Sequence, residues 1–198
     1  MVPATPRPAA SLILLRRGGR HRSRSVEVLL VRRSAEAAFM PGVWVFPGGT
    51  VDAADQGDDE AAHRACAIRE LGEEAGIRLP DDAELLPWSR WITPEAVSAR
   101  FDTRFYVALA PAHSPPQPDG SETTAASWFS PQLALERHRG GALPLVFPTI
   151  KHLESLLPYS RSEEVLKAAR DRVVEPVLPR MVGEGHERRI LLPDDPGY

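Results

Sequence analysis

The distribution of proline constrains this chain more than any other feature. Twenty prolines stand among 198 residues, about twice the usual share of ~5%. Proline fixes φ, donates no backbone hydrogen bond and interrupts helices and central strands. A bundle of long helices is excluded unless the prolines avoid particular stretches. They avoid two: residues 9–40 and 48–79, each 32 residues long, contain none. A continuous hydrogen-bonded backbone is allowed in those windows.

The first window reads as a β-hairpin. Leu12–Leu15 is a short buried apolar run, Val26–Val31 is a second, and polar residues 18–25 connect them. The second window predicts a helix over 59–75, with Asp58 or Asp59 as its cap and Gly76 ending it. Between the windows, Val43–Phe46 is a short β-type run leading into Pro47-Gly48-Gly49. Further strands are expected near Glu84–Trp91, Arg104–Ala110 and Ala125–Phe129, with 111–120 as a proline-rich loop. Helices are expected from Ser130-Pro131 to Gly140, from Pro148 to Leu157 and from Ser162 to Arg172. Residues 1–8 read as a loose tail and the last twenty or so as extended chain. With no repeat and no linker, residues 1–198 are expected to form one domain, with about 150–198 as a helical extension.

Net charge is −3 and the pI is near 6.1, so no general electrostatic footprint for nucleic acid or an anionic membrane exists. No run approaches the ~20 apolar residues of a membrane span. Ser11–Leu15 is too short for a secretion signal, and Arg16 and Arg17 follow it rather than precede it. Cys66 is the single cysteine, which excludes an internal disulfide. A cytoplasmic protein is expected, with neither membrane nor nucleic acid as partner.

Chemistry concentrates in the second window. On a helix, Glu70, Glu73 and Glu74 fall within about 100° of one another and repel. A divalent cation resolves that repulsion, and carboxylate oxygens suit hard Mg²⁺ or Mn²⁺. A solvated acidic face is the alternative meaning of the cluster. Ala61, Ala65, Ile68, Leu71, Gly72 and Ala75 are assigned to the opposite, buried face. His63 is expected to face solvent, and Cys66 to pack as a small hydrophobe with a raised pKa.

Gly49, together with Arg69-Glu70-Leu71-Gly72-Glu73-Glu74-Ala75-Gly76-Ile77, resembles the Nudix box, G-x5-E-x7-R-E-U-x-E-E-x-G-U with U apolar. The last nine positions match in full. The first Glu does not: Asp55 stands six positions after Gly49, and 13 residues instead of 7 separate it from Arg69. Counting back from Arg69 reaches Ala61, beside Glu60, so this position has two candidate assignments. The resemblance implies an α/β fold, a Nudix-type α/β/α sandwich with a mixed β-sheet, here with extra C-terminal helices. It implies Mg²⁺-dependent (or Mn²⁺-dependent) hydrolysis of a nucleoside diphosphate linked to another moiety. Glu73 and Glu74 become metal ligands, and Glu70 a ligand or the group that orients or deprotonates water. Arg69 holds a glutamate in place, the Gly49 carbonyl completes the metal shell, and Glu122 is a further carboxylate from a loop.

Leu29–Ser34 and Gly42–Gly49 resemble the signature of coenzyme A diphosphatases, with Val31 in place of a Thr and Ala38 in place of an Arg. Phe39-Met40-Pro41-Gly42, Asp52 with Asp55, and 101–105 resemble the peroxisomal-type branch. The substrate is expected to be CoA or an acyl-CoA, with Arg33, Trp44 and Gly48 as binding residues. ADP-ribose, NADH and other dinucleotides are alternatives, and so is a Nudix-fold binding module without turnover. Trp44, Trp91 and Phe105 are either adenine platforms or core residues. A homodimer is open.

Overall fold

The computed structural model describes residues 4–17, 26–37, 39–183 and 189–198. In chain order the elements are β1 (Arg7–Arg17), β2 (Val26–Arg33), β3 (Trp44–Val45), β4 (Gly48–Thr50), α1 (Asp59–Ala75), β5 (Leu86–Ile92), β6 (Phe101–Leu109), β7 (Thr123–Phe129), α2 (Pro131–Arg139), α3 (Phe147–Leu156), α4 (Ser162–Arg170), β8 (Pro176–Val177), β9 (Arg180–Val182) and β10 (Arg189–Leu191).

β1 is the axis of a mixed sheet ordered β3-β2-β1-β6-β5-β8, with β4 on β1 and β7 on β2. It runs antiparallel to β2 and parallel to β6. A strand covered on both faces needs a continuous apolar run, which Leu12-Ile13-Leu14-Leu15 supplies at zero exposure. Alternate side chains then enter opposite layers. Ile13 and Leu15 meet Val28, Leu30 and Phe105 under α2–α4, contacting Leu135, Leu153 and Val165. Leu12 and Leu14 meet Leu29, Val31 and Tyr106 under α1, contacting Cys66, Leu71 and Ala75. The result is the expected α/β/α arrangement around a mixed sheet. Among the described residues, no helix is long and apolar enough to cross a membrane.

The proline-free windows carry what they allowed. β1 and β2 form the hairpin, while its connection, 18–25, lies outside the described residues. The Asp58 carboxylate accepts from the Ala61 N–H to cap α1, and Gly76 ends it at φ 64°, a conformation glycine adopts without strain. Three expectations need correction. β1 starts at Arg7, inside the expected tail, because Arg7 N–H donates to Arg100 O and Arg7 pairs with Phe101 on β6. The C-terminal stretch is not merely extended: β8 joins the sheet beside β5, and β9 and β10 form a two-stranded sheet. β4 was not foreseen, because its Gly-Gly-Thr sequence has low strand propensity and is held by register with Ala9–Ser11 of β1.

The largest correction concerns the faces of α1. Leu71 and Ala75 are buried as expected, but so are Glu70 and Glu74, and Ala61 and Ile68 are exposed. Two carboxylates therefore share the buried face with the apolar side chains instead of opposing it. His63 is buried too, with Nδ1 2.6 Å from Asp59 O.

His152 on α3 lies in the core, 4.1 Å from the Phe105 ring centroid. Its Nδ1–H donates to Pro148 O at 2.6 Å and its Nε2 lies 2.6 Å from the Ser89 hydroxyl, which donates to the neutral ring. Burial pushes its pKa down to about 4. The folded protein thus refuses a proton that the unfolded chain takes up near pH 6.5. Stability is full above that pH and falls toward pH 4, by about 3 kcal/mol for this group. In urea denaturation at pH 7 and pH 4.5, His152→Gln is expected to gain about 2 kcal/mol relative to the wild type on going to the lower pH.

Candidate active site

The site is built where β4 lies across the buried face of α1. A Cβ on Gly49 would stand 2.1 Å from Glu70 Oε1, and one on Gly48 2.5 Å from Ala10 O. Gly48 therefore has to be glycine, and at Gly49 a side chain would push the Glu70 carboxylate aside. With no side chain between them, α1 approaches the β4 backbone closely, and the Gly48 N–H donates to Glu74 Oε2 at 2.9 Å. Gly49→Ala is expected to displace Glu70 and lower turnover about 100-fold with the far-ultraviolet circular dichroism unchanged. Steady-state kinetics on the folded variant check this.

Arg69 organises the carboxylates. Its Nε and Nη2 donate to Asp55 Oδ1 and Oδ2, both at 3.0 Å, a bidentate pair. Its Nη1 donates to Glu70 Oε1 at 2.9 Å and Glu73 Oε2 at 2.8 Å, and Nη2 also reaches Thr50 O at 3.2 Å. The Arg69 guanidinium holds the buried Asp55 carboxyl below the usual carboxylate range. This settles which of the two candidate positions faces the arginine. Asp55 does, whereas Glu60 turns away to Arg64 and Arg104. The additional residues form a bend before Asp58 and the first turns of α1, so Asp55 reaches Arg69 from the loop side.

Electrostatics divide the three glutamates. Burial pushes the Glu70 carboxyl up, with Glu73 and Glu122 adding repulsion and Arg69 opposing. Burial pushes Glu74 to about 8, reinforced by Glu70 and Glu122 and opposed by the Gly48 N–H and Arg33. Glu73 is largely exposed, its charge matched by Arg69. As they stand, no three acidic, His or Cys side chains among the described residues converge closely enough to hold an ion. Arg69 keeps Glu70 and Glu73 to itself, and Glu74 rests on Gly48. The donor chemistry nevertheless suits a hard divalent cation: two desolvated carboxylates flank the Gly48–Gly49 backbone, and a cation would offset the burial that disfavours their charge. Cys66 offers no competing soft ligand, since burial pushes its thiol up to about 12 and its Sγ–H lies 3.6 Å from Gly49 O.

Arg69, Glu70, Glu73 and Glu74 open onto one cleft of about 850 Å³, lined also by Arg33, Gly48, Gly49 and Glu122. The Asp119 carboxylate accepts from the N–H groups of Ser121, Glu122 and Thr123, and Ser34 N–H donates to Glu122 O at 2.7 Å, which fixes the loop carrying Glu122. Trp44 does not line the cleft. It packs edge-on against Phe129 with ring centroids 5.5 Å apart, and Trp91 packs near Phe147 and His152. Phe105 is 8% exposed and forms part of the cleft floor. Sequence reasoning missed Arg7, Phe39 and Phe101 at the outer end. Alternation along β1 and β6 was the available signal, because every second residue faces one side.

Residues 5–147 match the NUDIX domain model. The chain belongs to the NUDIX domain family, and the class so defined is that of hydrolases acting on diphosphate bonds. Its similarity to individual proteins narrows the class. The chain is 26% identical to acyl-coenzyme A diphosphatase NUDT19 of Gallus gallus, over 85% of this chain and 72% of that protein. It is 29% identical to putative nudix hydrolase 7 of Caenorhabditis elegans, over 76% of this chain but 60% of that protein's length. A crystal structure of a NUDIX hydrolase from Alicyclobacillus acidocaldarius superposes with a TM-score of 0.74 at 27% identity, covering 82% of this chain and 96% of the other.

Proposed function

We propose that this protein hydrolyses the diphosphate of coenzyme A or an acyl-CoA, releasing 4′-phosphopantetheine (acylated or not) and adenosine 3′,5′-bisphosphate. The observation that carries the reading is the arrangement of Arg69-held Glu70 and buried Glu74 against the Gly48–Gly49 backbone at the floor of a cleft. Similarity to an acyl-coenzyme A diphosphatase supports the choice of substrate.

Nudix hydrolases generally use divalent cations, and Mg²⁺ or Mn²⁺ suits this oxygen-rich set. Glu70, Glu73 and Glu74 with the Gly49 carbonyl would hold the ion, whose chemistry is to neutralise the diphosphate and acidify water. The chain itself supplies positioning. Glu70, with its proton affinity raised by burial and its orientation fixed by Arg69, accepts a proton from the attacking water. Glu122, which lines the same cleft, assists. Arg33, whose Nε is engaged by Phe39 O at 3.1 Å, places positive charge toward Glu74 and the diphosphate. Asp55 touches no substrate, and acts by fixing Arg69.

A panel of CoA, ADP-ribose, NADH and diadenosine polyphosphates with Mg²⁺ or Mn²⁺ tests the reading, and CoA is expected to give the highest kcat/KM. Faster turnover of another member reassigns the substrate. Binding without turnover of any member leaves a ligand-binding module.

A further inference from the structure

Beside Arg33 and Arg69, the cleft carries a third arginine, Arg7, that the hydrolytic reaction does not use. β1 and β6 run parallel in a register that pairs Ser11 with Phe105, Ala9 with Thr103 and Arg7 with Phe101. These residues face one side of the sheet and make a strip of cleft floor. Ser11 and Ala10 lie opposite Gly48 and Gly49 on β4, at the catalytic end. Arg7 is three residues further along β1 than Ala10, a separation of about 10 Å.

Arg7 is exposed, and its guanidinium stacks over Phe101 at 4.9 Å from the ring centroid. Phe101 is braced in turn by Phe39, 5.7 Å away. Among the described residues Arg7 forms no ion pair, whereas Arg69, Arg90 and Arg104 are each matched by carboxylates. Stacking fixes the plane of the guanidinium and leaves its N–H edge open, the geometry that suits a phosphate. The segment carrying Phe39 is also held firmly. Ser34 O accepts from the Ala37 and Gly42 N–H groups, and Arg32 Nε donates to Gly42 O at 3.3 Å. Met40 is kept at φ 48°, in the left-handed region that a long side chain rarely adopts.

We infer that Arg7, stacked on Phe101, recognises a phosphomonoester on the nucleoside of the substrate, one ribose away from the diphosphate, and is a specificity-determining residue of this cleft. The inference rests on the diphosphatase reading above and deepens it. Arg33 and Arg7 put positive charge at two separated points. A nucleotide with a diphosphate and a separate 3′-phosphate engages both, while ADP-ribose, NADH and dephospho-CoA engage only the first. Ala9 and Thr103, one step along the strands from Arg7 and Phe101, line the same cleft, the first leaving room for a ribose and the second offering a hydroxyl.

The test has a kinetic arm and a binding arm, both run on the full chain and on Arg7→Gln. The exposed Arg7 side chain is not part of the core, and matched thermal midpoints verify that the variant folds. The wild type is expected to prefer CoA over dephospho-CoA by about tenfold in kcat/KM, the worth of one charge-assisted pair. Arg7→Gln should bring the ratio near unity by slowing CoA alone. By calorimetry, adenosine 3′,5′-bisphosphate should bind the variant about tenfold more weakly and AMP equally well. Equal effects on CoA and dephospho-CoA, or no effect on either, overturn the inference while leaving the diphosphatase reading intact. A wild type that hydrolyses neither, yet binds the bisphosphate through Arg7, keeps this site and overturns the reading. No Arg7-dependent difference between bisphosphate and AMP overturns the site.

Discussion

Glu74→Gln is expected to lower diphosphate hydrolysis by about 1,000-fold while making the metal-free protein more resistant to alkaline pH. The first effect follows from removing an anionic oxygen where the diphosphate charge has to be neutralised. The second follows from burial. Glu74 is 3% exposed and its carboxyl is pushed to about 8, so below that pH the folded metal-free protein keeps a proton that the unfolded chain has already lost. A carboxyl raised in this way leaves stability intact below about pH 4.5 and costs increasingly as pH rises toward 8, by at most about 5 kcal/mol. Glutamine has no charge to desolvate, and its Oε1 can accept the same Gly48 N–H. The difference in thermal stability between Glu74→Gln and the wild type in chelator should therefore widen in favour of the variant between pH 5 and pH 8.5. Added Mg²⁺ should recover wild-type stability above pH 8, because it binds the folded state, and should not change Glu74→Gln. Parallel pH profiles of the two proteins would contradict this account of Glu74.

Arg69→Ala is expected to cost about 3–5 kcal/mol, the largest loss of stability from a single polar change in this protein. It strands the Asp55 side chain, 2% exposed, and the Glu70 side chain, 10% exposed, without their cation. Arg69→Lys keeps the charge but not the fork that meets both Asp55 oxygens, and should recover only part of the loss. Arg69→Ala combined with Asp55→Ala should be less destabilising than the sum of the two single changes, because neither charge is then left alone. Urea denaturation of the four proteins measures this coupling. A loss below 1 kcal/mol for Arg69→Ala would show that the network is a solvated surface feature.

These two residues mark how far the sequence could be read. The gaps between prolines located the hairpin and α1, because proline acts through backbone geometry that every local segment must obey. The caps at Asp58 and Gly76 were legible for the same reason. The orientation of α1 was not legible. Helical spacing placed the glutamates on one side and the small residues on the other. Two residues without side chains, Gly48 and Gly49 of β4, then allowed two of the carboxylates onto the buried side. That outcome depends on a contact between residues 21 and 26 positions apart, which periodicity within the helix cannot report. Trp44 shows the opposite limit. Its residue type suits stacking on a base, yet its strand turns the ring toward Phe129. Asp55 shows a gain from structure: spacing left the first carboxylate of the box without a clean assignment, and the structure shows that Asp55, not Glu60, meets Arg69.

The central claim is that this cleft cleaves a CoA diphosphate with the Glu70–Glu74 set. Its most direct test is mass spectrometry of the products formed from CoA with Mg²⁺ by the wild type and by Glu74→Gln. The account predicts equal amounts of 4′-phosphopantetheine and adenosine 3′,5′-bisphosphate from the wild type, and about 1,000-fold slower formation of the pair by the variant. No such pair from the wild type, or the same rate from both proteins, would contradict it.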